Sequence, residues 1–182
     1  DDGGKSWTVS TGMRAGYMPD PRMDDPRIQD PHRIVRCAAA PDVLWTQHHS
    51  GIFRSTDNGR TWSGIGEVSP SAFGFAVAVH PHDPDTAWFV PAQSDEVRVP
   101  VGGAMVVSRT RDGGRMFDTI ETGLPQQDAY HLVYRHCLDV DASGRRLLMA
   151  STTGSLWHSE DGGTSFRQIT STLPPVFCVR YV

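Results

Sequence analysis

One short pattern occurs four times along this chain and constrains its fold more than anything else in it. It reads Asp2-Gly-Gly-Lys-Ser-Trp7, Asp57-Asn-Gly-Arg-Thr-Trp62, Asp112-Gly-Gly-Arg-Met-Phe117 and Asp161-Gly-Gly-Thr-Ser-Phe166. Ser55, Thr110 and Ser159 stand two residues before the Asp in the last three copies. The pattern is therefore S/T-x-D-x-G-x-(S/T)-(W/F), with Met116 the one departure at the hydroxyl position. These residue types suit a tight hairpin. The carboxylate accepts N–H groups of its own turn, and the Gly supplies positive φ. The hydroxyls tie the two sides of the turn, and the aromatic packs over it. All these roles are structural, so Asp2, Asp57, Asp112 and Asp161 are expected to fold turns and catalyse nothing.

Successive copies stand 55, 55 and 49 residues apart. Four-stranded propeller blades recur every ~40–50 residues, so each interval holds one blade with loop insertions. A second landmark fixes the register. Pro41-Asp42-Val43-Leu44-Trp45 matches Pro84-Asp85-Thr86-Ala87-Trp88 at the second strand of two blades. The 18 Gly and 13 Pro, without a long 3.6-period apolar stripe, agree with many short strands and turns. The expected fold is an all-β propeller of four-stranded antiparallel blades, strands lettered A (inner) to D (outer). A lone D strand is expected near 5–9. Whole blades are expected over about 33–65, 73–121 and 130–170, the last opening with an A strand near 130–140. A closing A strand is expected over 177–182. Three blades do not close a ring. Further strands are expected from the rest of a longer chain or from another subunit.

The repeated pattern resembles the Asp box of sialidases and related propellers. Trp88-Phe-Val-Pro-Ala, Leu132-Val-Tyr-Arg-His136 and Ser151-Thr-Thr-Gly-Ser-Leu-Trp157 extend the likeness to bacterial BNR-repeat, glycosyl-hydrolase-like proteins. The resemblance implies six or seven blades in the closed ring. It also implies that ligands bind on the face opposite the Asp-box turns.

That opposite face carries the D–A and B–C loops, and both conspicuous insertions belong to it. One runs from Ser10 to Pro31 and the other from Pro91 to Gly103, each rich in Asp, Glu and Arg. Long loops on a rigid scaffold collect binding groups. The candidate ligand contacts are Asp30, His32, Arg33, His48, His49, Glu96, Arg98, Tyr130 and His131. His80-Pro81-His82-Asp83-Pro84 is read as a turn on the Asp-box face rather than a metal site. His131 and His136 are five apart on an expected strand, hence on opposite faces. Neither a metal nor a cofactor is expected.

The net charge of −4 and the lack of a basic patch give no footprint for nucleic acid. No apolar run approaches the ~18 residues of a membrane span. Cys37, Cys137 and Cys178 are odd in number and far apart, which suits free thiols and a cytoplasmic setting. The expected function is a non-catalytic propeller binding a glycan or protein ligand on the loop face. The alternative is an exo-sialidase or other glycoside hydrolase, whose arginine clamp and Tyr/Glu pair have no convincing counterpart here. A pure assembly scaffold is the third reading. The repeats carry the architecture and leave the reaction open.

Overall fold

The computed structural model describes residues 2–182. They form three four-stranded antiparallel sheets and no α-helix. The first sheet comprises β1 (Pro31–Arg36), β2 (Leu44–His48), β3 (Gly51–Ser55) and β4 (Ser63–Gly64). The second holds β5 (Gly74–Val79), β6 (Ala87–Pro91), β7 (Val107–Thr110) and β8 (Asp118–Ile120). The third holds β9 (Leu138–Val140), β10 (Leu147–Ala150), β11 (Leu156–Ser159) and β12 (Arg167–Thr170). Each is a meander in sequence order, with β1, β5 and β9 innermost. This is an arc of a β-propeller. No helix among the described residues is long and apolar enough to cross a membrane.

The sheets pack face to face through period-2 alternation. On β5, Val77 and Val79 enter a core with Trp45, Ile52 and Phe89 of the first two sheets. Ala76 and Ala78 enter a second core, with Trp88, Leu138, Met149 and Trp157. Successive residues point to opposite faces of a strand. The middle inner strand is therefore covered on both sides, and all six of its residues are buried. β1, covered on one side, has one buried residue, His32, among half-buried and exposed ones.

The four aspartates do what the pattern demands. Asp57 accepts hydrogen bonds from the Ser55 hydroxyl at 2.8 Å, the Thr61 N–H at 2.9 Å and the Thr61 hydroxyl at 2.6 Å. Asp161 accepts from Ser159, from the Thr164 and Ser165 N–H groups and from the Ser165 hydroxyl. At Asp112 the Met116 N–H remains, while the hydroxyl bond that Ser or Thr would add is lost. The Ser55, Thr110 and Ser159 hydroxyls also each accept the N–H of the turn's Gly59, Gly114 or Gly163 at 2.9 Å.

A Thr-Gly dipeptide ties the second sheet to the third, and another ties the segment before β1 to the first sheet, a device that the repeat pattern does not reveal. The Thr122 carbonyl accepts the N–H of Phe166, and the Thr11 carbonyl accepts that of Trp62, both at 2.9 Å. In each case the following Gly lies so close that a Cβ would overlap the aromatic residue's carbonyl oxygen.

Three expected strands differ. Residues 5–9 form no strand, and the chain is next held by the Ser10 hydroxyl on the Gly59 carbonyl and by Thr11, bridged to Thr61. Residues 177–182 likewise form no strand, leaving one parallel bridge between His136 and Cys178. A strand needs a neighbour to take its N–H and C=O groups, and none of the described residues flanks either segment with a full ladder. The inner strand of the third sheet begins at Leu138 rather than near 130, because the Cys137 N–H turns back to the Tyr134 carbonyl and interrupts the ladder.

Candidate functional site

The two insertions converge beside the start of the inner strands. The loop before β1 is tied to the β2–β3 turn, where the Gly16 N–H donates to the Ser50 hydroxyl at 2.8 Å. Tyr17 donates to the Ile28 carbonyl, and its ring meets His49 edge-on at 4.8 Å. The loop after β6 brings in Arg98, which pairs with Asp95 and lies 5.4 Å from the centroid of Phe75. Arg135 lies at the same distance from Phe75 and 5.6 Å from Tyr134. Its guanidinium makes no hydrogen bond or ion pair among the described residues. His32 stacks on Phe75 at 4.5 Å.

Asp30, His32 and His49 form a compact group. One Asp30 carboxylate oxygen is 3.7 Å from His32 Nε2 and 3.5 Å from His49 Nδ1. His32 is buried, and its Nδ1 lies 2.6 Å from the Gly74 carbonyl. Burial lowers the pKa of His32 despite the raising effects of that carbonyl and of Asp30. The backbone closes the group, since the His49 N–H donates to the Asp30 carbonyl at 2.9 Å.

Several expected ligand contacts lie elsewhere or serve the fold. His48 is fully buried, and both ring nitrogens face backbone N–H groups, of Asp30 at 2.9 Å and Ser50 at 3.0 Å. Burial lowers its pKa to about 4, which leaves it neutral and no contact for a ligand. Arg33 is turned inward to the Arg135 and Leu138 carbonyls, tying the first sheet to the third. It is thereby spent on backbone acceptors. His131 packs on Trp157 at 5.1 Å and bonds Thr153. Tyr130 beside it is 65% exposed, and neither touches the Phe75 group. The short β9 explains this, because residues 134 and 135 occupy the place given to 130 and 131. Glu96 is exposed and makes no hydrogen bond to the group. Asp30, His32, His49 and Arg98 do come together.

Tyr17, Phe73, Tyr134 and Arg135, with the buried Phe75 beneath them, complete the group and were absent from the sequence-derived set. The signal existed for two of them. Phe73 and Phe75 open the second inner strand as His32 and Arg33 open the first. His80 behaves as a turn residue, its Nδ1 facing the His82 and Asp83 N–H groups at 3.1 Å.

No protein-family model matches the chain, and no curated protein matches it in sequence. Its architecture does match solved structures. The GH74 xyloglucanase from Xanthomonas campestris superposes with a TM-score of 0.61 at 19% identity, over 92% of this chain and 22% of that one. The GH74 enzyme of Niastella koreensis gives 0.55 at 20% identity, over 79% of this chain and 18% of that one. YCF48 bound to a D1 peptide gives 0.56 at 14% identity, over 81% of this chain and 43% of that one. The chain thus spans about a fifth of each GH74 enzyme and under half of YCF48. These neighbours are β-propellers, and at such identities the likeness is one of fold alone.

Proposed function

We propose that this chain is part of an Asp-box propeller that binds a carboxylate-bearing ligand on its loop face without turning it over. The observation that carries this reading is Arg135 beside Phe75. It is a guanidinium backed by aromatic rings, without an anionic partner among the described residues, on the surface where both insertions meet. A planar guanidinium recognises carboxylates through paired N–H donors. The half-buried Phe73 and exposed Tyr17 rings add apolar area around a few convergent polar groups, as ligand sites do, while buried Phe75 only backs the guanidinium. Both acidic glycans and acidic peptides offer the required carboxylate. The peptide bound by YCF48 makes a peptide a reasonable first probe.

Hydrolysis of a glycoside ordinarily calls for two carboxyl groups set about 5–9.5 Å apart across the scissile bond. Within the group around Phe75, Asp30 stands between two imidazoles rather than facing a second free carboxylate, and Asp95 is paired with Arg98. This favours binding over turnover. The test is calorimetric titration with sialyllactose, a glucuronate oligosaccharide and an acidic peptide, run beside an aryl-sialoside turnover assay. Binding of one probe, lost in Arg135→Ala and weakened in Arg98→Ala, with no turnover, is the expected result. Turnover abolished by the same changes would replace this reading with the enzymatic one. Binding unaffected by Arg135→Ala would end it.

A further inference from the structure

We propose that Asp30, His32 and His49 form a site for a divalent transition-metal cation of the zinc type. The three side chains each offer one ligand atom, and these atoms all lie within 4.8 Å of one another. The contacts to the shared Asp30 oxygen, at 3.5 and 3.7 Å, are too long for hydrogen bonds, which fall near 2.7–3.2 Å. They suit an ion held between the groups. Bonds of about 2.0–2.2 Å in a tetrahedron give ligand-to-ligand edges of about 3.3–3.6 Å, close to the two Asp30 contacts, and the His32–His49 edge, within 4.8 Å, closes to that length when an ion binds.

The supports around the three residues are those of a built site. The Gly74 carbonyl fixes the proton of His32 on Nδ1, so the Nε2 lone pair faces Asp30. The Asp30 backbone is pinned on both sides, its N–H by His48 Nε2 and its carbonyl by the His49 N–H. Side-chain exposure runs from 2% at His32 through 23% at His49 to 51% at Asp30. The group is therefore walled on one side and open on the other. Three protein ligands with an open side leave at least one coordination position free, and two imidazoles favour zinc-type ions over magnesium or calcium. His80 and His82 make a useful contrast. They also neighbour each other, but the Nδ1 of His80 is taken up by backbone N–H groups.

This inference concerns metal binding alone and holds whether or not a carboxylate ligand binds at Arg135. The test is calorimetric titration of chelator-stripped protein with Zn²⁺, with Co²⁺ as a probe by its visible absorption. One ion per chain is expected, with no competition from Mg²⁺ or Ca²⁺. Asp30→Asn and His49→Ala alter the open side and leave the His32–Phe75 stack in place. Each should weaken Zn²⁺ by more than the ~10–100-fold typical of outer-shell changes. His82→Ala should match the parent. Circular dichroism and thermal melting confirm that each variant is folded. A folded parent that binds no Zn²⁺, or equal affinity in parent, Asp30→Asn and His49→Ala, overturns the proposal.

Discussion

Replacing Gly123 by Ala tests how the sheets are coupled. The residue has φ of +81°, and an added Cβ would overlap the Phe166 carbonyl oxygen. The left-handed conformation alone costs an L-residue roughly 1–2 kcal/mol. Relieving the overlap requires moving backbone in a packed region, about 1–3 kcal/mol more. The bond from the Phe166 N–H to the Thr122 carbonyl, worth about 1 kcal/mol, is strained with it. The total is about 4 kcal/mol. Gly162 is the matched control, with φ of +70° and no atom within 4 Å of where a Cβ would stand. Gly162→Ala therefore carries only the backbone cost, roughly 1–2 kcal/mol. At about 2–4 °C per kcal/mol for a chain of this size, Gly123→Ala should melt ~8–16 °C below the parent and Gly162→Ala only a few degrees below. Urea midpoints at an unchanged m-value give the same comparison. Equal losses in the two variants would show that the Thr-Gly contact does not couple the sheets.

Other measurements bear on the turns and the core. Hydrogen bonds from Thr61 and Ser55 hold Asp57 at a pKa of about 2. Asp161 sits at about 2 as well: partial burial would raise it, but bonds from Ser165, Ser159 and Thr164 outweigh that. Both values lie below the ordinary 3.8, so the stability these groups contribute is complete above about pH 4 and is lost as the pH falls toward 2. Urea midpoints should drop across that window, and less in Asp57→Asn/Asp161→Asn; equal drops would contradict the assignment. Trp88 is 1% exposed and donates to the Gly162 carbonyl, so Trp88→Ala should cost about 3–5 kcal/mol. Trp7 is 88% exposed, and Trp7→Ala should stay within about 0.5 kcal/mol. Among the thiols, Cys37 and Cys137 are buried, and burial raises Cys137 to about 11. A thiol reagent should therefore label only Cys178 in the native protein and all three cysteines in denaturant. Rapid native labelling of a second thiol would count against the two cores.

The fold was legible because each repeat encodes its turn locally. Asp57 with Ser55 and Thr61, or Asp161 with Ser159 and Ser165, satisfies its hydrogen bonds within a few residues. Such contacts survive in the sequence as a spacing. The Thr-Gly contacts were harder to see because Thr122 and Phe166 are 44 positions apart and their bond is between backbones. A backbone bond leaves only a missing side chain, the Gly, as its trace.

The site was legible only in part, for a related reason. Its face follows from strand order, so Asp30, His32, His49 and Arg98 could be placed there from topology. Which side chains reach the surface depends on where each inner strand stops being a strand. One turn at Tyr134–Cys137 shortens β9 and exchanges Tyr130 and His131 for Tyr134 and Arg135. His48 and His49 show the same limit at its sharpest. They are adjacent, and period-2 alternation sends one into the interior and the other toward Asp30. Deciding which imidazole faces out required the β2–β3 register, in which His48 pairs with Gly51 and ends the ladder. The turn face is therefore written in short-range spacing, whereas the loop face depends on where three ladders end. An error of one residue at a strand end changes the chemistry proposed for the site and leaves the propeller intact.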